Sequence, residues 1–302
     1  MNGEDEMTGM VSEIKRMAIH DGDGLRTTVF LKGCPMRCVW CHNPESLSPL
    51  PQIRLIEEKC VGCGLCAEFC HAHRITEGRH TIDPALCSGC GKCAPHCPHG
   101  AILHNGTPMS VEQVVAEVME DLPFYQVSGG GVTLSGGEPL MQSKFAVSIL
   151  RRLKEEGVST ALETCGFVSR SILEETMDVT DIYLYDIKAL NETVHIRCTG
   201  QSNRVILNNL RWLDSRKKRI EIRIPYVPGY NDGEIGPIGD FLAGLDSICR
   251  VRVLPYHALA RSKYRSLGME YSLQARIPEP EEIDRAVELL KGYGVCAVSG
   301  YA

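Results

Sequence analysis

The sequence predicts an α/β protein with a parallel central sheet, interrupted by a small cysteine-rich unit, on three observations. Short β-rich runs alternate with helix-patterned segments over most of the 302 residues. That order builds a parallel sheet with helices on its outer face, either as an open sheet or as a complete or partial barrel. Cys60, Cys63, Cys66 and Cys70 recur at Cys87, Cys90, Cys93 and Cys97, each shifted by 27 residues, which marks a duplicated unit. Turn-forming SLSPLPQ (46–52) and HNGTP (104–108) bracket the repeat. Residues about 50–107 are therefore expected to form an inserted unit between two parts of a larger domain, 1–49 and 108–302.

The elements follow in order. TTVFL (27–31) reads as a strand. Ser110 is placed to cap a helix, with Gln113 three residues on and Val111, Val114, Val115 and Val118 on one face. VTL (132–134), a helix near 142–156, TALE (160–163), a short helix, IYLYDI (182–187) and another helix come next. In RIEIRIPYV (219–227) Ile220, Ile222, Ile224 and Tyr226 alternate with other residues, as a strand requires. A helix near 234–245, VRVLPY (251–256), a helix near 279–291 and VCAV complete the pattern. Gly129, Gly130 and Gly131 precede their strand, so they do not form a dinucleotide-binding turn. In a parallel sheet of this kind, function is expected at the C-terminal ends of the strands.

Thirty-two Lys and Arg against 38 Asp and Glu leave a formal net charge of −6. This balance argues against a nucleic-acid partner held by bulk positive charge. A mean hydropathy of −0.10 with 43% hydrophobic residues suits a folded, soluble chain with no membrane partner. The N-terminus, MNGEDEMTGM, is acidic and polar where a secretory signal is basic and then apolar. A cytoplasmic location is expected, and there dense cysteine points to metal ligation over disulfides.

Eleven of the 15 cysteines fall between Cys34 and Cys97. The doubled C-x2-C-x2-C-x3-C run, ending in Cys97-Pro98, is the pattern associated with two four-iron four-sulfur clusters. The fourth cysteine of each run then ligates the other cluster, which gives Cys60, Cys63, Cys66 and Cys97 for one and Cys87, Cys90, Cys93 and Cys70 for the other. Zinc is the competing metal, since C-x2-C also builds zinc ribbons. The segment resembles a bacterial two-cluster ferredoxin. Cys34, Cys38 and Cys41, spaced C-x3-C-x2-C, lack a fourth partner nearby, so a cluster held there would keep one iron open to another ligand. Cys165, Cys198, Cys249 and Cys296 are scattered and read as small buried residues.

Further motifs carry a wider resemblance: DGDGLRT (21–27), LKGCPMRCVWCHNPES (31–46), TLSGGEPL (133–140), LETCGF (162–167), YDIK (185–188), VPGYND (227–232) and LPYH (254–257). Together they resemble the radical S-adenosylmethionine enzymes, and within them the anaerobic activating enzymes of glycyl radical enzymes, the pyruvate formate-lyase activase group. The resemblance implies a partial (βα)6-type barrel, with the 50–107 segment as a small α+β ferredoxin-like domain. It implies three 4Fe–4S clusters, S-adenosylmethionine as cosubstrate and room for a monovalent cation. Cys34, Cys38, Cys41 and Lys188 would be the catalytic set. Gly136, Gly137, Glu138, Glu163, Lys188, Arg223 and His257 would contact the cosubstrate, and Asp21 would meet the partner's glycyl loop. The chain departs from the pattern at Glu163, where Asp is usual, and at Asp23, where Pro is usual.

The implied activity is reductive cleavage of S-adenosylmethionine to a 5′-deoxyadenosyl radical, which takes hydrogen from one glycine of a glycyl radical enzyme, with flavodoxin or ferredoxin as electron donor. A radical enzyme acting on a small molecule or peptide is the nearest alternative. A ferredoxin-type electron carrier is the alternative from another class.

Overall fold

The structure is a computed structural model that describes residues 7–300. Among the described residues the main sheet has nine strands. In chain order they are β1 (Thr8–Ala18), β2 (Arg26–Leu31), β7 (Thr107–Ser110), β8 (Gly131–Gly136), β9 (Ser159–Thr164), β10 (Ile182–Asp186), β11 (Ile220–Tyr226), β12 (Ile248–Pro255) and β13 (Ala297–Ser299). The intervening numbers are four short strands between β2 and β7: β3 (Gln52–Leu55), β4 (His73–Thr76), β5 (Arg79–Ile82) and β6 (Ile102–Asn105). Across the sheet the order is β13-β12-β11-β10-β9-β8-β2-β1-β7. From β2 to β13 every pairing is parallel, while β1 runs antiparallel to both β2 and β7.

The strand and helix order read from the sequence is present with ends shifted by a few residues. Ser110 caps helix Val111–Met119 reciprocally with Gln113, and the four valines of that helix are buried. Helices Ser143–Glu155, Ile235–Leu242 and Pro280–Gly292 cover the outer face, where Ile220, Ile222 and Ile224 meet a single large core. Two differences stand out. The segment after β10 holds two helices, Glu192–Thr199 and Arg204–Ser215, separated by Gly200 at φ +76, a left-handed position that glycine adopts freely. The 11-residue strand β1 escaped the sequence reading because it shows no clean alternation, and its pairing with β2 is broken by bulges.

The inner face is polar and buried. Glu221 and Arg223 on β11, Arg252 on β12, and Thr28 and Thr133 on the first parallel strands are all inside. The 19–25 loop lies against this face. Arg26 donates to Thr133 Oγ1 at 2.7 Å and to the Ser159 carbonyl at 3.0 Å, and Asp23 pairs with Arg219 at 2.7 Å and Arg250 at 2.6 Å. The turn at Asp23 is thus held by two guanidinium groups.

Residues 52–105 form two two-stranded antiparallel sheets, β3 with β6 and β4 with β5. Their own core is small: Ile53, Leu55, Cys66, Cys93 and Ile102. Buried Lys32 joins both ends of this segment, donating to Gln52 Oε1 at 3.1 Å, Asn105 Oδ1 at 2.9 Å and the Glu45 carbonyl. Helix Ala260–Ser266 clamps the same junction through Lys263 with Glu45 at 2.5 Å and Arg54 with Ser266 at 3.0 Å. Among the described residues no helix is long and apolar enough to cross a membrane.

Candidate active site

A cleft of about 990 Å³, counting its open mouth, lies at the C-terminal ends of the parallel strands. Cys34, Cys38 and Cys41 line it on the loop that leaves β2. Backbone hydrogen bonds fix this loop: Gly33 N–H to the Ser46 carbonyl at 2.8 Å, Arg37 N–H to Thr199 at 2.8 Å and Val39 N–H to Cys198 at 2.9 Å. Burial pushes the Cys34 thiol up to about 11 and the Cys41 thiol up to about 12, and it raises Cys38 as well. Three half-buried thiols whose pKa values desolvation raises suit a metal cluster, whose positive charge holds thiolates.

Gly136 and Gly137 form the opposite wall. A Cβ on Gly136 would fall 2.3 Å from the Leu31 carbonyl oxygen, and one on Gly137 would fall 2.3 Å from that of Gly33. The two loops therefore pack backbone to backbone, and only bare peptide edge fits between them. The Glu138 side chain points the other way. It is fully buried, accepting from Leu140 N–H at 3.1 Å, Thr164 Oγ1 at 2.9 Å and Cys165 N–H at 2.8 Å.

Lys188 and Glu163 also line the cleft. Burial presses the Lys188 ammonium toward neutrality, but the Asp186 carboxylate at 2.9 Å and the Cys38 sulfur outweigh it and hold the pKa above the ordinary lysine value. Glu163 accepts from Arg223 at 2.7 Å and from Ser135 Oγ. Burial and the carboxylates of Asp21 and Asp186 raise its pKa against the pull of Arg223.

Arg223, His257 and Asp21 do not reach the cleft wall. Arg223 lies beneath Glu163, 3.5 Å from Asp21, whose carboxylate accepts from Thr28 Oγ1 at 2.7 Å. His257 is exposed and stacks at 3.9 Å on His42, which does line the cleft. Burial and the neighbouring His257 push His42 down to about 4, and its Nε2 is buried without a hydrogen-bond partner. An orphaned polar atom in the wall beside Cys41 fits a site completed by a ligand. Residue-by-residue reading missed His42, Ser135, Thr164, Asp186 and Tyr256 as lining groups, although each stands inside one of the quoted motifs. Cys165, set aside as a small buried residue, lines the cleft too, and its backbone N–H donates to Glu138. Of the other three scattered cysteines, Cys198 is buried, Cys249 is half-buried and Cys296, against expectation, is exposed.

A second cavity is lined by Cys60, Cys63, Cys66 and Cys97 with Gly64, His80 and Pro98. One cysteine of the second run thus joins three of the first.

Residues 28–242 match the family model of the radical SAM superfamily. The chain is 39% identical over 284 residues to the choline trimethylamine-lyase activating enzyme of Oleidesulfovibrio alaskensis, covering 89% of this chain and 90% of that one. It is 39% identical to the trans-4-hydroxy-L-proline dehydratase activating enzyme of Clostridioides difficile, over 93% of each chain. With the benzylsuccinate synthase activating enzyme of Thauera aromatica it shares 36% identity, covering 96% of this chain and 92% of the relative. Among solved structures, a domain of a pyruvate-formate lyase-activating enzyme from Bacteroides vulgatus aligns with a TM-score of 0.50 at 29% identity, covering 57% of this chain and 99% of that one. With its cysteine loop, glycine edge and lysine assembled in one cleft, the chain belongs to the radical SAM superfamily, among the activating enzymes of glycyl radical enzymes.

Proposed function

We propose that the chain activates a glycyl radical enzyme from the cleft at the C-terminal ends of its parallel strands, and that it does so as one of the pyruvate formate-lyase activase group. The observation that carries this reading is the convergence of Cys34, Cys38 and Cys41 on the bare edge of Gly136–Gly137 beside Lys188. Cys34, Cys38 and Cys41 would hold a 4Fe–4S cluster, which when reduced would supply the electron for cleavage of S-adenosylmethionine to methionine and a 5′-deoxyadenosyl radical.

The chain's own residues bind and orient. The backbone at Gly136 and Gly137 meets the amino group of the methionine moiety. Lys188, held charged by Asp186, offers its ammonium to the carboxylate or ribose, and Glu163 with Asp186 can hold a monovalent cation. Arg223 acts one layer down, neutralising Glu163 and Asp21 in the sheet interior. Glu138 makes its contribution through its backbone, because its side chain is used up in holding the 138–140 and 164–165 turns together. His257 acts through its stack on His42. Asp21, in the loop against the inner face, is assigned to the partner's glycyl loop.

The remainder of the reading is a partial (βα)6-type barrel, in the cytoplasm, carrying a ferredoxin-like domain over 50–107. Its two clusters, on Cys60, Cys63, Cys66, Cys97 and on Cys87, Cys90, Cys93, Cys70, would pass electrons inward from a flavodoxin or ferredoxin. The cavity shared by Cys97 and the first run supports the crossed ligand sets. Bare antiparallel sheets with a five-residue core give the segment little reason to fold without metal.

The test is anaerobic mixing with S-adenosylmethionine, a low-potential reductant and the glycyl radical enzyme encoded nearest to this chain. A glycine-centred electron paramagnetic resonance signal with matching 5′-deoxyadenosine is expected, and Cys38→Ala should abolish both. Formation of 5′-deoxyadenosine with no protein radical on any glycyl radical enzyme, but with turnover of a small molecule or peptide, would favour the rival radical enzyme.

A further inference from the structure

The two inserted cysteine runs are not equivalent, and the difference is histidine. His80 projects from β5 into the cavity of Cys60, Cys63, Cys66 and Cys97. Its Nδ1 lies 3.3 Å from Cys60 Sγ and its Nε2 3.6 Å from Cys66 Sγ. On the far side, His73 Nδ1 sits 2.8 Å from His80 Nε2. His73 and His80 are both buried. The 27-residue repeat puts Gly100 and Thr107 where the first copy has His73 and His80. Cys66 and its counterpart Cys93 are equally buried, so burial does not distinguish the two runs. His104, packed against the second run at Gly89, has its Nε2 on the Gly89 carbonyl at 2.9 Å.

Ring chemistry decides the proton positions. A cluster-bound thiolate sulfur accepts hydrogen bonds, so the nitrogen facing Cys60 must carry hydrogen. A neutral His80 with a proton on Nδ1 has a bare Nε2, which accepts from His73 Nδ1–H at 2.8 Å, the shorter of its two contacts, and gives no hydrogen bond to the Cys66 sulfur at 3.6 Å. The pair then forms a donor chain from His73 through His80 to the Cys60 sulfur.

We propose that His80, oriented by His73, is a positioning residue for the cluster on Cys60, Cys63, Cys66 and Cys97, donating to the Cys60 sulfur and making this cluster easier to reduce than its twin. The inference rests on the two-cluster reading of residues 50–107. An N–H aimed at a ligand sulfur stabilises the more negative, reduced cluster, and hydrogen bonds to the sulfurs are among the determinants of cluster potential. The two clusters would then form a step in potential where a symmetric duplication would give two equal sites.

The experiment is a redox titration of the full-length, anaerobically reconstituted protein, followed by electron paramagnetic resonance. Iron, sulfide and zinc are counted in each sample, and the catalytic cluster is recognised by its response to S-adenosylmethionine. In the wild type, the two inserted clusters should titrate in separate waves. His80→Phe keeps the ring and removes the donor. It should lower the reduced-to-oxidised ratio of one cluster roughly tenfold at fixed potential, about 59 mV for one electron, and leave the other wave in place. His73→Phe should move the same wave in the same direction by less, and His80→Gln, which restores an N–H, should bring it part of the way back. Coincident waves in the wild type, or an unmoved wave in His80→Phe and His73→Phe at full iron content, would overturn the inference while the two-cluster reading stood. A wild type with iron for the catalytic cluster only, or with one zinc held by Cys66, His73 and His80, would overturn the two-cluster reading and the inference with it.

Discussion

Glu138 separates two views of the GGEP turn, one in which its side chain touches the cosubstrate and one in which it braces the wall. Three donors converge on its carboxylate: Leu140 N–H on Oε1, and Thr164 Oγ1 and Cys165 N–H on Oε2. Glu138→Gln keeps one acceptor oxygen. If that oxygen serves Thr164 and Cys165, the new NH2 faces Leu140 N–H, donor against donor, and one buried donor is orphaned at a cost of about 1–3 kcal/mol. Glu138→Ala orphans all three, roughly 3–9 kcal/mol, against a typical domain stability of about 5–15 kcal/mol. The Gln protein should therefore fold with a lowered urea midpoint, and the Ala protein should be marginal or unfolded. Burial pushes the Glu138 pKa up. A raised folded-state pKa means extra stability that is fully present below the unfolded carboxyl pKa and is lost as pH rises toward the folded one. The margin of wild type over Gln should accordingly be widest in acid and narrow with rising pH. Anaerobic urea titrations at several pH values, with S-adenosylmethionine affinity measured on the same samples, decide the matter. Unchanged stability of the Gln protein with a tenfold or greater loss of affinity would place the side chain on the ligand and refute the bracing argument.

Three further outcomes are expected. Gly137→Ala sets a Cβ 2.3 Å from the Gly33 carbonyl oxygen and 2.6 Å from that of Ser46, both backbone. Thermal unfolding should show a loss of about 1–3 kcal/mol, with 5′-deoxyadenosine formation falling more steeply than stability. Asp23→Ala frees the 19–25 loop from Arg219 and Arg250. Hydrogen exchange there should accelerate, and glycyl radical yield should fall further than uncoupled cosubstrate cleavage. Burial pushes the Asp23 pKa up, but Arg250 and Arg219 outweigh it and lower it overall. The loop's protection is thus present above the ordinary aspartate pKa and is lost as pH falls through the lowered one, where wild type should come to exchange like the variant. Cys90→Ala should slow turnover with a flavodoxin donor much more than with dithionite. Equal loss with both donors, together with proteolysis across 50–107, would assign the clusters proposed for this segment a structural role.

The long acid-base network under the cleft explains why the inner face of this sheet tolerates so many buried charges. Arg223 answers Glu163 at 2.7 Å, and Glu221, wholly buried, answers Arg250 at 2.8 Å and Arg252 at 3.3 Å. Removing one member would leave an unpaired buried charge, which costs several kcal/mol, whereas the intact set is nearly balanced. Arg223 thereby ties Glu163, which lines the cleft, to Asp21 in the layer below.

The sequence by itself determined the cysteine spacing, the duplication, the order of strands and helices, the Ser110 cap and the motifs at the strand ends. These are local properties: ligand spacing, residue period and turn chemistry act over a few residues. Tertiary structure decided what depends on distant partners. Asp23 finds Arg219 and Arg250 only when the loop lies across the sheet. Lys32 finds Gln52 and Asn105 only when both ends of the 50–107 segment meet. The alternation of Ile220, Ile222 and Ile224 marked one face of β11 as core, yet Glu221 and Arg223 on the other face are buried too. Strand β1 exists because β2 and β7 offer it edges, and His80 reaches Cys60 because a hairpin folds back over the cysteine loop. Such contacts form by chain closure and charge pairing over tens to hundreds of residues, which no local pattern encodes.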